Sequence, residues 1–104
     1  MEPVLLYITA QDKQQATTLA RALLDARLIA CANIVDGAAS LYRWEGRIET
    51  AAECVIFMKS VRRHVQAIVD KVTQLHSYAC PCVVAMPIVQ GHQPFLDWVA
   101  QETA

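Results

Sequence analysis

The stretch Ser40-Leu41-Tyr42-Arg43-Trp44-Glu45-Gly46-Arg47-Ile48-Glu49 constrains the fold more than any other part of the chain. Two runs of strand-forming residues meet at Glu45-Gly46, and glycine serves a tight turn whose second central position needs positive φ. A β-hairpin is expected. A two-residue loop sets Trp44 opposite Arg47 and Tyr42 opposite Glu49; a three-residue loop with a bulge at Gly46 is the rival geometry and shifts that pairing. With the two-residue loop, period two places Tyr42, Trp44, Arg47 and Glu49 on one face and Leu41, Arg43 and Ile48 on the other. Neither face is purely apolar. One small domain cannot bury both, so one face is expected to meet another molecule.

Size and composition sharpen that expectation. The 104 residues suffice for a single domain, 1–104, with one core. Apolar residues make up 55% of the chain, and counting the three Gly in place of the three Tyr leaves the figure unchanged. Soluble domains average roughly 45–50%, so this chain has more apolar surface than its own core can hide, and a buried subunit interface is expected. Net charge is −1 and the basic residues are scattered, which argues against nucleic acid as a partner. The acidic start and short apolar run of Met1-Glu2-Pro3-Val4-Leu5-Leu6-Tyr7-Ile8 do not suit a signal peptide, and no segment approaches a membrane span. A cytoplasmic location is expected, with the four cysteines reduced.

Along the chain, Val4 to Ile8 reads as a short buried strand. Asp12 can cap a helix with Gln15 in the capping-box position, and Ala16, Leu19, Ala20 and Leu23 then recur at helical spacing. Leu28 to Val35 reads as a second strand, ended by a bend at Asp36-Gly37. The return arm of the hairpin runs from Arg47 to Lys59, long enough to overreach its own sheet. Ser60 is placed to cap a helix through Val61, Val65, Ile68, Val69, Val72 and Leu75. Cys82 to Met86 reads as a last strand, with Pro87 implying an edge or terminal position, and Pro94 opens a terminal helix with Phe95, Trp98 and Val99 on one side. Two βαβ-type units joined by a hairpin predict an α+β, ferredoxin-like split βαβ fold: an antiparallel sheet with both long helices on one face, plus a short C-terminal helix. The other sheet face is expected to be covered by further subunits.

Leu28-Ile29-Ala30-Cys31-Ala32-Asn33-Ile34, the hairpin stretch, Leu75-His76-Ser77-Tyr78 with Pro81, and Phe95-Leu96-Asp97-Trp98 together resemble, in order and spacing, the CutA divalent-cation-tolerance family over nearly the whole chain. The resemblance implies a fold like that of the PII signalling proteins, a homotrimer with inward-facing sheets, and an association with copper and other divalent metals. Cys31 and His76 match positions connected with metal in that family. The chain departs from the pattern at Ser77, where the family usually has Pro, and at Cys82, where it usually has Glu. Loss of that carboxylate weakens any site built on it, whereas thiols at Cys80 and Cys82 offer a softer one.

Residue chemistry alone supports the thiols only in part. In Cys80-Pro81-Cys82 residues i and i+2 face alike in an extended segment, with His76 just before them, and thiolate with imidazole suits copper(I) or zinc. A free cysteine is also a common small buried hydrophobe, the first reading for Cys31 and Cys54 in their apolar strands. His76 closes a helix, where imidazole complements the dipole without any ligand. His64 and His92 read as solvated. Tyr42, Trp44, Arg47 and Glu49 suit a subunit interface better than the wall of a small-ligand pocket. Acylphosphatases share the expected fold, but Thr9-Ala10-Gln11-Asp12 lacks the glycine-rich phosphate cradle, and no nucleophile triad, carboxylate pair or nucleotide motif is visible. The expectation is a trimeric, metal-linked binding protein, not an enzyme, with copper or zinc as the suited ions and no organic cofactor. A PII-like small-ligand sensor or an assembly scaffold is the alternative.

Overall fold

A computed structural model describes residues 2–104. Strand β1 (Pro3–Ala10) leads to helix α1 (Lys13–Asp25), β2 (Cys31–Trp44), β3 (Arg47–Val61), a 3₁₀ turn (Arg62–His64), α2 (Val65–Leu75), β4 (Val83–Pro87) and α3 (Gln93–Glu102). The four strands form one sheet in the order β2-β3-β1-β4, with every neighbouring pair antiparallel.

The sheet has two unlike faces. Val4, Leu6, Ile8 and Ala10 of β1 pair with Ser60, Met58, Ile56 and Cys54 of β3, and all eight are buried. Ala16, Leu19, Ala20 and Leu23 of α1 join Ile68 and Val72 of α2 against them, so both long helices cover one face. These are the α1 positions that the helical period marks. The odd positions, Leu5, Tyr7, Thr9, Val55 and Phe57, line the other face and stay half-buried. Among the described residues no helix lies over them; Tyr7 and Phe57 meet edge to face at 5.7 Å.

Helix α1 begins as its sequence implies. The Asp12 carboxylate accepts from Gln15 N–H at 2.8 Å, and the Gln15 side-chain oxygen accepts from Gln11 N–H at 3.0 Å. Its end carries no glycine, yet Leu28 N–H reaches Leu23 O and Arg27 N–H reaches Leu24 O, a Schellman closure with Arg27 at φ 58°.

Three expectations need correction. Asp36-Gly37 does not end the second strand; it is a bulge inside β2, which continues to Trp44. Asp36 and Gly37 together oppose the single residue Cys54, and Gly37 takes φ +80°, the conformation that lets the ladder absorb an extra residue. Ser60 is no helix cap: it lies buried in β3, its hydroxyl donates to the Leu28 carbonyl, and α2 starts only at Val65. His64 is not solvated, because its Nε2 lies 2.7 Å from the Thr103 carbonyl, beside Arg63, which donates to the same oxygen at 2.9 Å. Those cationic and imidazole groups meet the carbonyl end of α3, as the helix dipole favours.

The hairpin follows the two-residue reading. Glu45 (φ 48°) and Gly46 (φ 79°) make the turn, with Trp44 opposite Arg47 and Tyr42 opposite Glu49. The 15-residue β3 carries this arm beyond the helices, giving extents of 44 × 26 × 22 Å and a radius of gyration of 14.1 Å. A compact chain of this length has about 13 Å. Leu41 and Ile48 at the arm's tip are 71% and 69% exposed.

The bulge carries a testable cost. A methyl group at Gly37 meets nothing within 4 Å, so Gly37→Ala strains only the backbone. Urea unfolding is expected to show a loss of about 1–2 kcal/mol, the penalty of the left-handed region for a residue with a Cβ.

Candidate functional site

The bulge decides which residues share the open face. Before it, Cys31, Asn33 and Val35 stand opposite the odd β3 residues Lys59, Phe57 and Val55; after it, the even residues Ala38, Ser40, Tyr42 and Trp44 stand opposite the odd residues Glu53, Ala51, Glu49 and Arg47. Tyr42 and Trp44 are thereby brought to the same side as Tyr7, Thr9 and Glu53. The loop between α2 and β4 passes along this side, and together they line a groove of about 750 Å³ to which Tyr78, Cys80 and Cys82 also contribute.

The loop is held by polar contacts, part-buried at His76 and Tyr78 and exposed at Ser77. His76 ends α2 at the covered side of the loop, with Nε2 2.8 Å from the Thr9 carbonyl and Nδ1 accepting from Tyr78 N–H at 3.0 Å. With Nδ1 accepting, Nε2 carries the proton and donates. Ser77 donates to the Gln11 side chain at 3.1 Å and accepts from Gln15 at 2.7 Å, tying the loop to the start of α1. The Tyr78 ring lies on the His76 ring at 4.6 Å, and its hydroxyl donates to Glu53 at 2.8 Å. Burial, with that bond and the charge of Glu53, pushes the Tyr78 hydroxyl up to about 12.

The sequence-predicted ligands are only partly gathered. Cys80 and Cys82 are exposed free thiols in the lining of the same groove. Burial, and then the Glu53 carboxylate, push the Cys82 thiol up. His76 is close in sequence, but both its ring nitrogens are spent on backbone groups, and a metal there must first displace one of them. Cys31 pairs with Lys59, six residues along β3 from Glu53, about 20 Å at the usual rise per strand residue. Cys54 is sealed in the core. Among the described residues no three His, Cys, Asp or Glu side chains cluster as a metal cage. Arg47 and Glu49 share the face of Tyr42 and Trp44 but lie outside the groove's lining.

Glu53 and Tyr7 escape a reading of sequence alone. The signal that finds them is strand parity: once β1 and β3 are registered, the odd positions of both fall on the face away from the helices.

The raised Tyr78 pKa makes a prediction for alkaline conditions. The unfolded chain releases this proton near 10, whereas the folded chain keeps it to about 12, so stability present below pH 10 declines between those values. Urea midpoints measured at pH 9 and 11 should differ less in Tyr78→Phe than in the parent.

Comparison with known proteins accounts for this architecture. The family model described as CutA1 divalent ion tolerance protein matches residues 4–102. The divalent-cation tolerance protein CutA of Thermus thermophilus is 39% identical over 103 residues, 99% of each chain. The human protein CutA is 36% identical over 97 residues, which cover 93% of this chain but only 54% of the human one. The solved structure of the Thermus thermophilus divalent cation tolerance protein superposes with a TM-score of 0.94 at 38% identity, covering 100% of both chains. That titled as the periplasmic divalent cation tolerance protein CutA of Archaeoglobus fulgidus gives 0.95 at 36%, over 98% of this chain and 99% of that one. By sequence and by fold together, the chain belongs to the CutA1 divalent ion tolerance family.

Proposed function

We propose that this protein is a cytoplasmic homotrimer that confers tolerance to divalent or soft metal ions by binding copper or a related ion, with Cys80 and Cys82 as the donors and no catalytic step. The fold proposed is the ferredoxin-like, PII-like one, which the strand order and the two helices on one face support. The relatives' names describe tolerance of divalent cations and no reaction. The observation that carries the metal reading is the placement of two exposed thiols in the lining of one groove. Thiolates suit copper(I); magnesium and calcium need oxygen cages that this groove lacks. Two thiols without a third clustered donor also fall short of the tetrahedral set that zinc prefers. Cys31 and His76, connected with metal by family resemblance, contribute in this reading only if the ion has a second site.

Trimerisation rests on the uncovered sheet face and on the projecting arm. Val84 and Met86 of β4, Trp44 and Leu41 are all large, apolar and exposed on the single chain. Among the described residues no helix is long and apolar enough to cross a membrane, so a bilayer-spanning helix does not account for that surface. A small-ligand sensor of PII type is the second reading, favoured by the aromatic side chains in the same groove.

Isothermal titration of the reduced protein with copper(I) and zinc tests the metal reading. Copper(I) stoichiometry should fall in the Cys80→Ser/Cys82→Ser double variant, while helical signal and assembly persist. Cys31→Ser should leave it unchanged. Apparent affinity should also fall with pH, because protons compete for both sulfurs and the Cys82 thiol is pushed up. Copper(I) binding that survives the double variant and is abolished by Cys31→Ser would overturn the assignment.

Sedimentation at micromolar concentration tests the assembly, and a compact monomer would exclude it. Trp44→Ala should loosen the trimer by about 2 kcal/mol, as truncation of a large interface aromatic does.

A further inference from the structure

Asp36-Gly37 is the only Asp-Gly pair in the chain, and it forms the bulge that sets the parity of the arm. Neither residue has a partner of its own in the β2-β3 register, and both are exposed. Gly37 N–H donates instead to Asp36 Oδ1 at 2.9 Å. That contact lays the side-chain carboxyl beside the amide nitrogen that follows it, close to the roughly 3–3.5 Å separation of reacting atoms in a near-attack geometry. Glycine has no Cβ to obstruct the approach, and at Gly37 the space where one would lie is empty to 4 Å. The other aspartates, Asp12, Asp25, Asp70 and Asp97, cap or occupy helices and precede Lys13, Ala26, Lys71 and Trp98, each of which sets a Cβ next to the amide.

The pair is also reachable in an assembly built on the open face. Burial and then the charge of Asp36 push the Cys54 thiol up, with Lys13 opposing and Asp12 adding. Asp36 therefore lies toward the helix-covered side of the sheet, by the exposed start of α1, and away from the face proposed to meet other subunits.

We propose that Asp36-Gly37 is a self-modifying site that converts to isoaspartate through a succinimide. The Gly37 nitrogen bonds to Asp36 Cγ, and its proton leaves with the carboxyl hydroxyl as water. Water then re-enters at either ring carbonyl; opening at the main-chain carbonyl leaves the chain running through Cγ, an isoaspartate with a free α-carboxylate. The product lengthens the backbone by one carbon where β2 already holds a residue more than β3 opposes. The pairing that resumes at Ala38 opposite Glu53, and the placement of Tyr42 and Trp44 beyond it, then lose their register. Loosened assembly follows from this only if the arm joins subunits as proposed above, whereas the conversion itself stands on the bulge alone.

The test ages the reduced, assembled protein at physiological pH and temperature and maps its peptides by mass spectrometry. A peptide short of one water marks the succinimide. Isoaspartate keeps the parent mass, separates by chromatography, and accepts a methyl group on its α-carboxylate from S-adenosylmethionine and an isoaspartyl methyltransferase. Position 36 should convert at least as fast as in the same chain unfolded in guanidinium chloride, and several-fold faster than the other aspartates. Gly37→Ala should slow conversion several-fold, and Asp36→Asn, which reaches the same ring by releasing ammonia, should quicken it. With Trp98→Phe in place, Trp44 emission should change in step with isoaspartate content. A folded chain that keeps Asp36 while the unfolded chain converts, or an equally inert Asp36→Asn, overturns the site; conversion that leaves Trp44 emission unaltered overturns its effect on the arm.

Discussion

The antiparallel register between β1 and β3 is the constraint on which the rest of the molecule depends. Leu6 against Met58 and Ile8 against Ile56 put one set of side chains under the helices, completely buried. Strand period then has no freedom left: Tyr7, Phe57, Val55 and Glu53 must face the other way. A one-residue slip would send this second set into the core and expose the first. The burial of a Leu or Ile is worth about 1.5–3 kcal/mol each, so no slipped register competes.

That same parity would put Tyr42 and Trp44 on the helix side if β2 were regular. The extra residue at Asp36-Gly37 reverses it, and the aromatic residues of the arm arrive beside Tyr7 and Glu53. The groove is therefore a product of one bulge. Much of this was legible beforehand and part was not. Glu45-Gly46 announced the turn and its pairing, and the four buried α1 positions followed from their spacing. Asp36-Gly37 was visible as an irregularity, but a bend that ends a strand and a bulge that continues it share the same residues. Which one forms depends on whether β3 extends far enough to keep pairing, a tertiary fact. Ser60 is ambiguous for a related reason: a serine before a helical period looks like a cap whether its hydroxyl reaches the following backbone or, as here, a carbonyl 32 residues earlier.

The chemistry of the site was legible at the level of residue type and less so at the level of role. Cys80 and Cys82 are exposed on the groove, as a pair in an extended segment can be, whereas Cys31 lies far along the sheet. His76 shows why proximity in sequence is a weak guide to ligation. A ring with one nitrogen donating to Thr9 and the other accepting from Tyr78 is satisfied without a ligand, and its removal leaves two backbone groups to find new partners. Ser77, which departs from the usual family proline, replaces ring rigidity with two hydrogen bonds to the first turn of α1 and the residue before its cap. The loop is held by contacts instead of by a restricted φ.

The second departure, at position 82, bears on what the groove can attract. A glutamate there would stand near Glu53, and two carboxylates in one groove draw hard divalent ions strongly while repelling each other when no ion is bound. Cysteine removes that repulsion and leaves Glu53 as the single formal charge in the lining. Burial and Glu53 itself push the Cys82 thiol up, so near neutral pH the side chain stays protonated and adds no second charge. A groove with one negative charge and several aromatic faces has little hold on a strongly hydrated divalent ion, whose dehydration needs more charge than this. On the metal reading proposed above, the ions suited to it are those that displace thiol protons and bond sulfur directly. On that reading a thiol in place of a carboxylate would turn the same surface from hard to soft cation chemistry without altering the strands that build it.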